Sequence, residues 1–238
     1  IPEDFHVWDY LDNSRTQEAY NKIVNGDADI IFVAQPSDGQ KKRAEKSGVT
    51  LLYTPFAREA FVFIVNADNP VNSLTEQQVR DIFSGAITNW RTVGGKDQEI
   101  QTWQRPEDSG SQTVMQSQVM KNVRMISPQE TEVASMMEGM IKVVAEYRNT
   151  NNAIGYTFRY YATQMNADKN IKLLAINGIA PTAENIRNGK YPYIVDAFMV
   201  TRENTTSETQ KLVEWFLTPQ GQSLVEDVGY VPMYPTMK

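Results

Sequence analysis

Strand-like and helix-like runs alternate along this chain, and that alternation narrows its fold more than any other feature. Residues 29 to 34 (Asp-Ile-Ile-Phe-Val-Ala) read as a buried strand. Residues 50 to 55 and 60 to 65 (Ala-Phe-Val-Phe-Ile-Val) read as two more, rich in aromatic and β-branched side chains. The segment from Asn66 to Pro70 breaks the pattern as a polar turn. Thr75 with Gln78 makes a capping-box pattern ahead of a helix whose apolar face is Val79, Ile82 and Phe83. Residues 91 to 97 read as a turn into a strand that ends at Arg105. Helical spacing returns at Val133, Met136, Met137, Met140, Ile141 and Val144, within residues 130 to 147. A loop and short strand at 151 to 156, a strand at 171 to 176, a capped helix from Thr182 to Asn188 and a strand at 193 to 200 follow. Ser207 with Gln210 caps a helix carrying Leu212, Trp215 and Phe216, and Thr218-Pro219 opens another with proline at its favoured first position. This order implies an α/β sandwich on a largely parallel sheet, with ligands at strand carboxyl ends beside helix N-termini.

The 238 residues, 41% of them hydrophobic, suffice for one large domain or two lobes with a core that needs no staple. The absence of cysteine excludes thiol nucleophiles, thiolate metal sites and disulfides. No apolar run reaches the length that spans a bilayer. A net charge of −6 without a Lys/Arg stripe speaks against nucleic acid as a partner. There is neither a His-x-x-His set nor a Walker phosphate loop, so no metal and no cofactor is called for.

The segment Arg105-Pro106-Glu107-Asp108-Ser109-Gly110-Ser111-Gln112-Thr113 carries the chemistry. An arginine leaves a strand, a polar turn follows, and then a helical run holds Val114, Met115 and Val119. The Ser-Gly-Ser step therefore falls at a helix N-terminus, where backbone N–H groups lack partners and the peptide dipoles leave a partial positive charge. Gly110 permits close approach to the backbone, while Ser109, Ser111 and Thr113 add hydroxyls. Arg105 offers a planar fork suited to an oxyanion. The pattern holds a tetrahedral anion and offers nothing for breaking one; a surface arginine beside an ordinary N-cap is the plainer reading.

The other candidates are weaker. A serine hydrolase would need His6, the chain's single histidine, beside Ser109 or Ser111, and the Gly-x-Ser-x-Gly elbow is absent. The methionines at 136, 137 and 140 fit core packing better than a soft-metal patch. Glu107 with Asp108 reads as a solvated turn, and Tyr156 as core or lobe interface.

With these residues laid out, four segments show a family likeness. They are Asn69-Pro70-Val71-Asn72-Ser73-Leu74-Thr75, Asp81-Ile82-Phe83-Ser84-Gly85-Ala86-Ile87-Thr88-Asn89-Trp90, Arg105 with Ser109-Gly110-Ser111-Gln112-Thr113, and Ala153-Ile154-Gly155-Tyr156. The chain resembles the solute-binding proteins of phosphate-type ABC importers, which have the type II periplasmic-binding-protein fold. The resemblance implies an α/β fold of two lobes, with mixed sheets flanked by helices and a hinge of crossing strands. One lobe is expected at residues 1–65 plus 171–238 and the other at 66–170. It also implies an extracytoplasmic protein, lipid-anchored in its precursor, monomeric and not an enzyme. Such a protein captures inorganic phosphate or a similar oxyanion between its lobes and delivers it to an ABC permease. The alternative is a sensory or cell-surface domain that kept the scaffold without transport.

Carried over residue by residue, Arg105, Ser109, Gly110 and Ser111 match the family's second-lobe phosphate loop. Ser14 and Thr16 resemble a loop at the start of the helix carrying Tyr20 and Ile23. Ser14 with Gln17 also makes a capping-box pattern, so the ligand and cap readings of that serine both stand. The phosphate-specific relatives place an aspartate just after the strand that ends here at Ala34, where this chain has Gln35. An amide both donates and accepts, which leaves discrimination against sulfate open. Relatives also begin earlier, with a strand, a Ser/Thr-rich anion loop and a helix ahead of the segment matched by Ile1-Pro2-Glu3-Asp4-Phe5. On that comparison residues 1–238 alone are expected to bind phosphate weakly or not at all.

Overall fold

The computed structural model describes residues 11–107, 109–121, 123–128, 137–146, 152–165 and 167–237. His6, residues 1 to 5, Asp108, Val133 and Met136 lie outside the described residues. In chain order the elements begin with α1 (Thr16–Asn25), β1 (Ile30–Val33), α2 (Asp38–Lys46), β2 (Leu51–Asn66), β3 (Ser73–Leu74) and α3 (Glu76–Ser84). A 3₁₀ turn (Trp90–Val93), β4 (Gln101–Thr102), α4 (Gly110–Val114), a π turn (Met115–Met120) and α5 (Met137–Glu146) follow. The remainder is β5 (Ala153–Phe158), a second π turn (Tyr161–Met165), β6 (Ile171–Leu173), β7 (Ala175–Ile176), α6 (Ala183–Arg187), β8 (Ile194–Arg202), α7 (Ser207–Phe216), α8 (Pro219–Asp227) and β9 (Val231–Pro232).

Most of the locally signalled helix ends are where the sequence puts them. Thr75 and Gln78 form a complete capping box, and Thr182 and Thr218 each cap their helix. The C-terminal pair differs in detail. Thr206, not Ser207, caps α7 by accepting the N–H of Thr209, and the helix buries Val213 while Leu212 is 41% exposed. The Ser14–Gln17 capping box does not form. Arg15 is the N-cap of α1 with no side-chain bond, and Gln17 instead accepts from Gln40 of α2 at 3.0 Å.

The expectation of a largely parallel sheet is corrected. Among the described residues only β4–β5 and β3–β7 pair in parallel, while β1–β8 and the pairings of β2 with β5, β6, β8 and β9 are antiparallel. The cause is a late insertion. β1, α2 and β2 do form a parallel crossover unit, but β8 runs oppositely and lies between the two strands. The strands expected at 50 to 55 and 60 to 65 are one continuous strand, β2. Pro55 does not end it, because the pairing register slips between Pro55 and Ala57, where a missing N–H is tolerated.

β2 belongs to both lobes. Its first part pairs with β8 and β9, and Phe61–Val65 pair with Phe158–Ile154 of β5. Side chains of the first sheet alternate between faces. Val200 packs with Tyr20 and Ile23 of α1, whereas Met199 packs with Val213 of α7 and Val225 of α8. The second core holds Phe63, Ile82, Phe83, Trp90, Met140 and Ile154. It also takes in residues 60 to 65, Leu174, Ile186 and Tyr193. The chain crosses between lobes near Ala60 and again near Tyr193, whose carbonyl accepts the N–H of Phe61 at 2.9 Å.

Family-like motifs serve this packing. Gly85, at φ 83°, ends α3 where an added Cβ would stand 2.7 Å from Ile126, and the Trp90 indole donates to the Asn152 carbonyl at 2.8 Å. Gly155 lets α5 press on β5, since a Cβ there would meet Met140 and Val144. Met140 is therefore core, as its spacing implies. Among the described residues no helix is long and apolar enough to cross a membrane.

Glu59 sits at the first crossing and is only 4% exposed. Its oxygens accept the N–H groups of Ala60 at 2.7 Å and Tyr160 at 2.8 Å. Burial pushes its carboxyl up to about 7, against the opposing pull of those two N–H groups and of Arg159. A raised carboxyl favours folding below its free value of 4.5, and that contribution is lost as pH rises through about 7. Between about pH 5 and pH 8 the loss should amount to roughly 3 kcal/mol at most, at 1.36 kcal/mol per pK unit. Urea melts of Glu59→Gln, which cannot ionise, are expected to show a flatter pH profile than the parent. Identical profiles would remove Glu59 as the source.

Candidate functional site

β4 is short, but its line continues because Trp103 donates its N–H to the Ile154 carbonyl at 2.9 Å. This delivers Arg105 to the lobe's edge with its backbone fixed. The Arg105 N–H donates to the Tyr156 hydroxyl at 3.0 Å, and that hydroxyl donates to Oε1 of Gln112. Gln112 lies in α4, so strand and helix are tied together beneath the Ser-Gly-Ser turn.

Arg105 is 9% exposed. Burial lowers its guanidinium to about 10; the neighbouring Tyr156 and Tyr161 oppose this, and Arg15 adds to it. Burial also pushes the Tyr156 phenol well up, so it stays a neutral hydrogen-bonding group.

The turn itself is an N-terminus with free capacity. Ser109 caps α4 by accepting the Gln112 N–H at 3.2 Å. Thr113 adds no donor to the site, because its hydroxyl donates to the Ser109 carbonyl at 3.1 Å. Ser111 differs: it is 2% exposed, and its hydroxyl has no hydrogen-bond partner. A buried hydroxyl left without a partner is costly, on the order of 1–3 kcal/mol. The N–H groups of Gly110 and Ser111 have no acceptor inside the helix.

The other lobe comes up against this turn. A Cβ added at Gly110 would stand 3.2 Å from Ala34 and 3.2 Å from Oγ1 of Thr16. Glycine is needed here because the end of β1 and the start of α1 approach the backbone. Thr16 is the first residue of α1, so two helix N-termini meet at this point. A cavity of about 350 Å³ opens alongside, lined by Ser14, Thr16 and Ala34 on one side and Tyr161 on the other. Arg105, Ser109 and Ser111 do not line it.

Of the residues singled out in the sequence, Thr16 and Gly110 meet directly, with Arg105, Ser109 and Ser111 on the same turn. Ser14 faces the adjoining cavity. Gln35 is directed elsewhere: its amide nitrogen donates to Ser117 Oγ at 2.9 Å, and its oxygen accepts from Gln118 at 3.3 Å. Arg15 escaped notice and lies close enough to Arg105 for the two charges to repel. A cation at a helix N-cap opposes the dipole, and that unfavourable placement is the signal the sequence offered. Among the described residues no group of His, Asp or Glu side chains is arranged to hold a metal ion.

A family model described as a PBP superfamily domain matches residues 5–220. The phosphate-binding protein PstS of Bacillus subtilis is 29% identical over 170 residues, 71% of this chain and 53% of that protein. PstS of Borreliella burgdorferi is 26% identical over 184 residues, 75% of this chain and 64% of that protein. The chain thus spans between half and two thirds of the length of these curated relatives. A Clostridium perfringens structure with bound phosphate superposes with a TM-score of 0.75 at 24% identity, over 91% of this chain and 84% of that one. That likeness speaks to the fold. The matched span takes in β1 to β8, with the long strand β2 among them, and the chain belongs to the PBP superfamily.

Proposed function

We propose that this protein is an extracytoplasmic solute-binding protein that captures inorganic phosphate, or a similar oxyanion, between its lobes. The observation that carries the reading is the buried Ser111 hydroxyl, without a partner among the described residues, at the helix mouth that follows the buried Arg105. A tetrahedral anion would satisfy that hydroxyl, the Gly110 and Ser111 N–H groups and the arginine together. Each charged hydrogen bond contributes on the order of 1.5–3 kcal/mol. Ser109 supplies a hydroxyl from the same turn, and Thr16, Ser14 and Arg15 face it from the other lobe. The relatives named phosphate-binding proteins support the ligand class.

An anion held by groups of both lobes favours closure. The protein would act as a monomer, and an ABC permease would recognise the closed form and receive the ion. Nothing in this scheme breaks or forms a covalent bond.

Calorimetric titration with inorganic phosphate is expected to show a single site, of low affinity in residues 1–238 alone. Sulfate should compete, because guanidinium, N–H and hydroxyl donors do not require a proton on the anion. Absence of heat with both anions, confirmed by equilibrium dialysis, would end the reading.

A further inference from the structure

Gln35 stands just past β1, next to Ala34, and reaches across to the π turn of the opposite lobe. Its hydrogen bonds have a fixed sense. Ser117 Oγ donates to the Thr113 carbonyl at 2.7 Å and must therefore accept from Gln35, which places the Gln35 amide nitrogen on that side. Its oxygen is then turned to the Gln118 amide. Adjacent residues of an α-helix point about 100° apart, since a turn holds 3.6 residues. The wider π turn narrows that angle and lets Ser117 and Gln118 engage one amide.

These bonds span 82 and 83 residues of sequence and join elements that otherwise belong to different cores. They flank the place where Thr16 meets Gly110. On their outer side is a polar groove of about 750 Å³, with Ser37 and Lys41 on one wall and Glu107 and Gln116 on the other.

We propose that Gln35 is an interlobe clamp, a positioning residue that holds the start of α1 against the Gly110 turn and slows release of the anion without touching it. The proposal rests on the oxyanion-capture reading for its ligand, but the clamp itself is a property of the protein. Closure is a two-state equilibrium, and contacts made only in the closed arrangement set its bias. The Gln35 carbonyl and amide both serve this contact, which accounts for an amide at a position next to the anion turn.

The test uses the full chain with Gln35→Ala, Ser117→Ala and the double variant. Small-angle scattering in phosphate-free buffer is expected to give a larger radius of gyration for both single variants than for the parent. Phosphate release in stopped flow should quicken roughly three- to tenfold, the worth of one or two exposed hydrogen bonds. The double variant should be no worse than Gln35→Ala, which already removes the Ser117 bond along with the Gln118 one. Thermal midpoints should stay within a few degrees, which separates a clamp from a general loss of structure. Unchanged dimensions and unchanged release in both variants, or fully additive effects, would overturn the clamp. If the parent binds no phosphate yet both variants expand, the clamp stands and the anion reading falls.

Discussion

Arg105→Ala is expected to weaken oxyanion binding at least tenfold while leaving the protein folded. Tenfold is about 1.4 kcal/mol, and one charged hydrogen bond to an anion exceeds that. Two features favour the fold of the variant. The fold keeps a guanidinium largely out of water, and the depression of its pKa to about 10 records that cost. The hydrogen bond to Tyr156 comes from the Arg105 backbone and survives the substitution. Arg105→Lys should fall between, since a point charge replaces bidentate donors. Calorimetry with phosphate, run beside thermal melts, reads both quantities. Wild-type affinity in the alanine variant would take Arg105 out of the site.

Gln222→Leu is expected to lower the stability of the whole protein by on the order of 4 kcal/mol or more. Gln222 is fully buried. Its amide nitrogen donates to the carbonyls of Phe56 at 2.9 Å and Phe216 at 2.8 Å. Its oxygen accepts the N–H groups of Met233 at 2.9 Å and Tyr234 at 3.0 Å. One side chain thus ties α8 to β2, to the end of α7 and to the C-terminal segment. Leucine has a similar volume but leaves these backbone groups without partners, at roughly 1–3 kcal/mol for each that stays buried. Gln222→Glu should do no better, because it presents a carboxylate to two carbonyls. At about 2–4 °C per kcal/mol for a chain of this size, the melting point should drop by about 10 °C or more. A shift under 3 °C would show that water or relaxation meets those groups instead.

What the sequence discloses is what is decided locally. The capping box at Thr75 and Gln78 closes over three residues, and Thr218-Pro219 acts within one turn. The Ser-Gly-Ser start of α4 was legible for the same reason: strand, arginine, Ser-Gly-Ser and helix follow one another within a dozen residues. Pairings between distant segments were not legible. Nothing in residues 30 to 33 announces that their neighbour is β8, some 170 residues later. The hydrogen bonds of Gln35 were hidden because its partners, Ser117 and Gln118, lie in another lobe. Gln17 looked like half of a capping box until Gln40 claimed it. Gln222 and Glu59 are polar residues in patterns that suggest solvent exposure, and only the assembled core shows what they satisfy.

The insertion of β8 between β1 and β2 has a bearing on biogenesis. A nascent chain leaves the ribosome from its N-terminus, so β1 and β2 emerge long before the strand that must separate them. Residues 60 to 193, by contrast, contain most of the second core and can collapse as a contiguous stretch. The middle of the polypeptide should therefore acquire protection from hydrogen exchange first, leaving the early strands waiting with unpaired edges for their late partner. High contact order of this kind slows refolding and lengthens the window in which those edges can pair with the wrong chain.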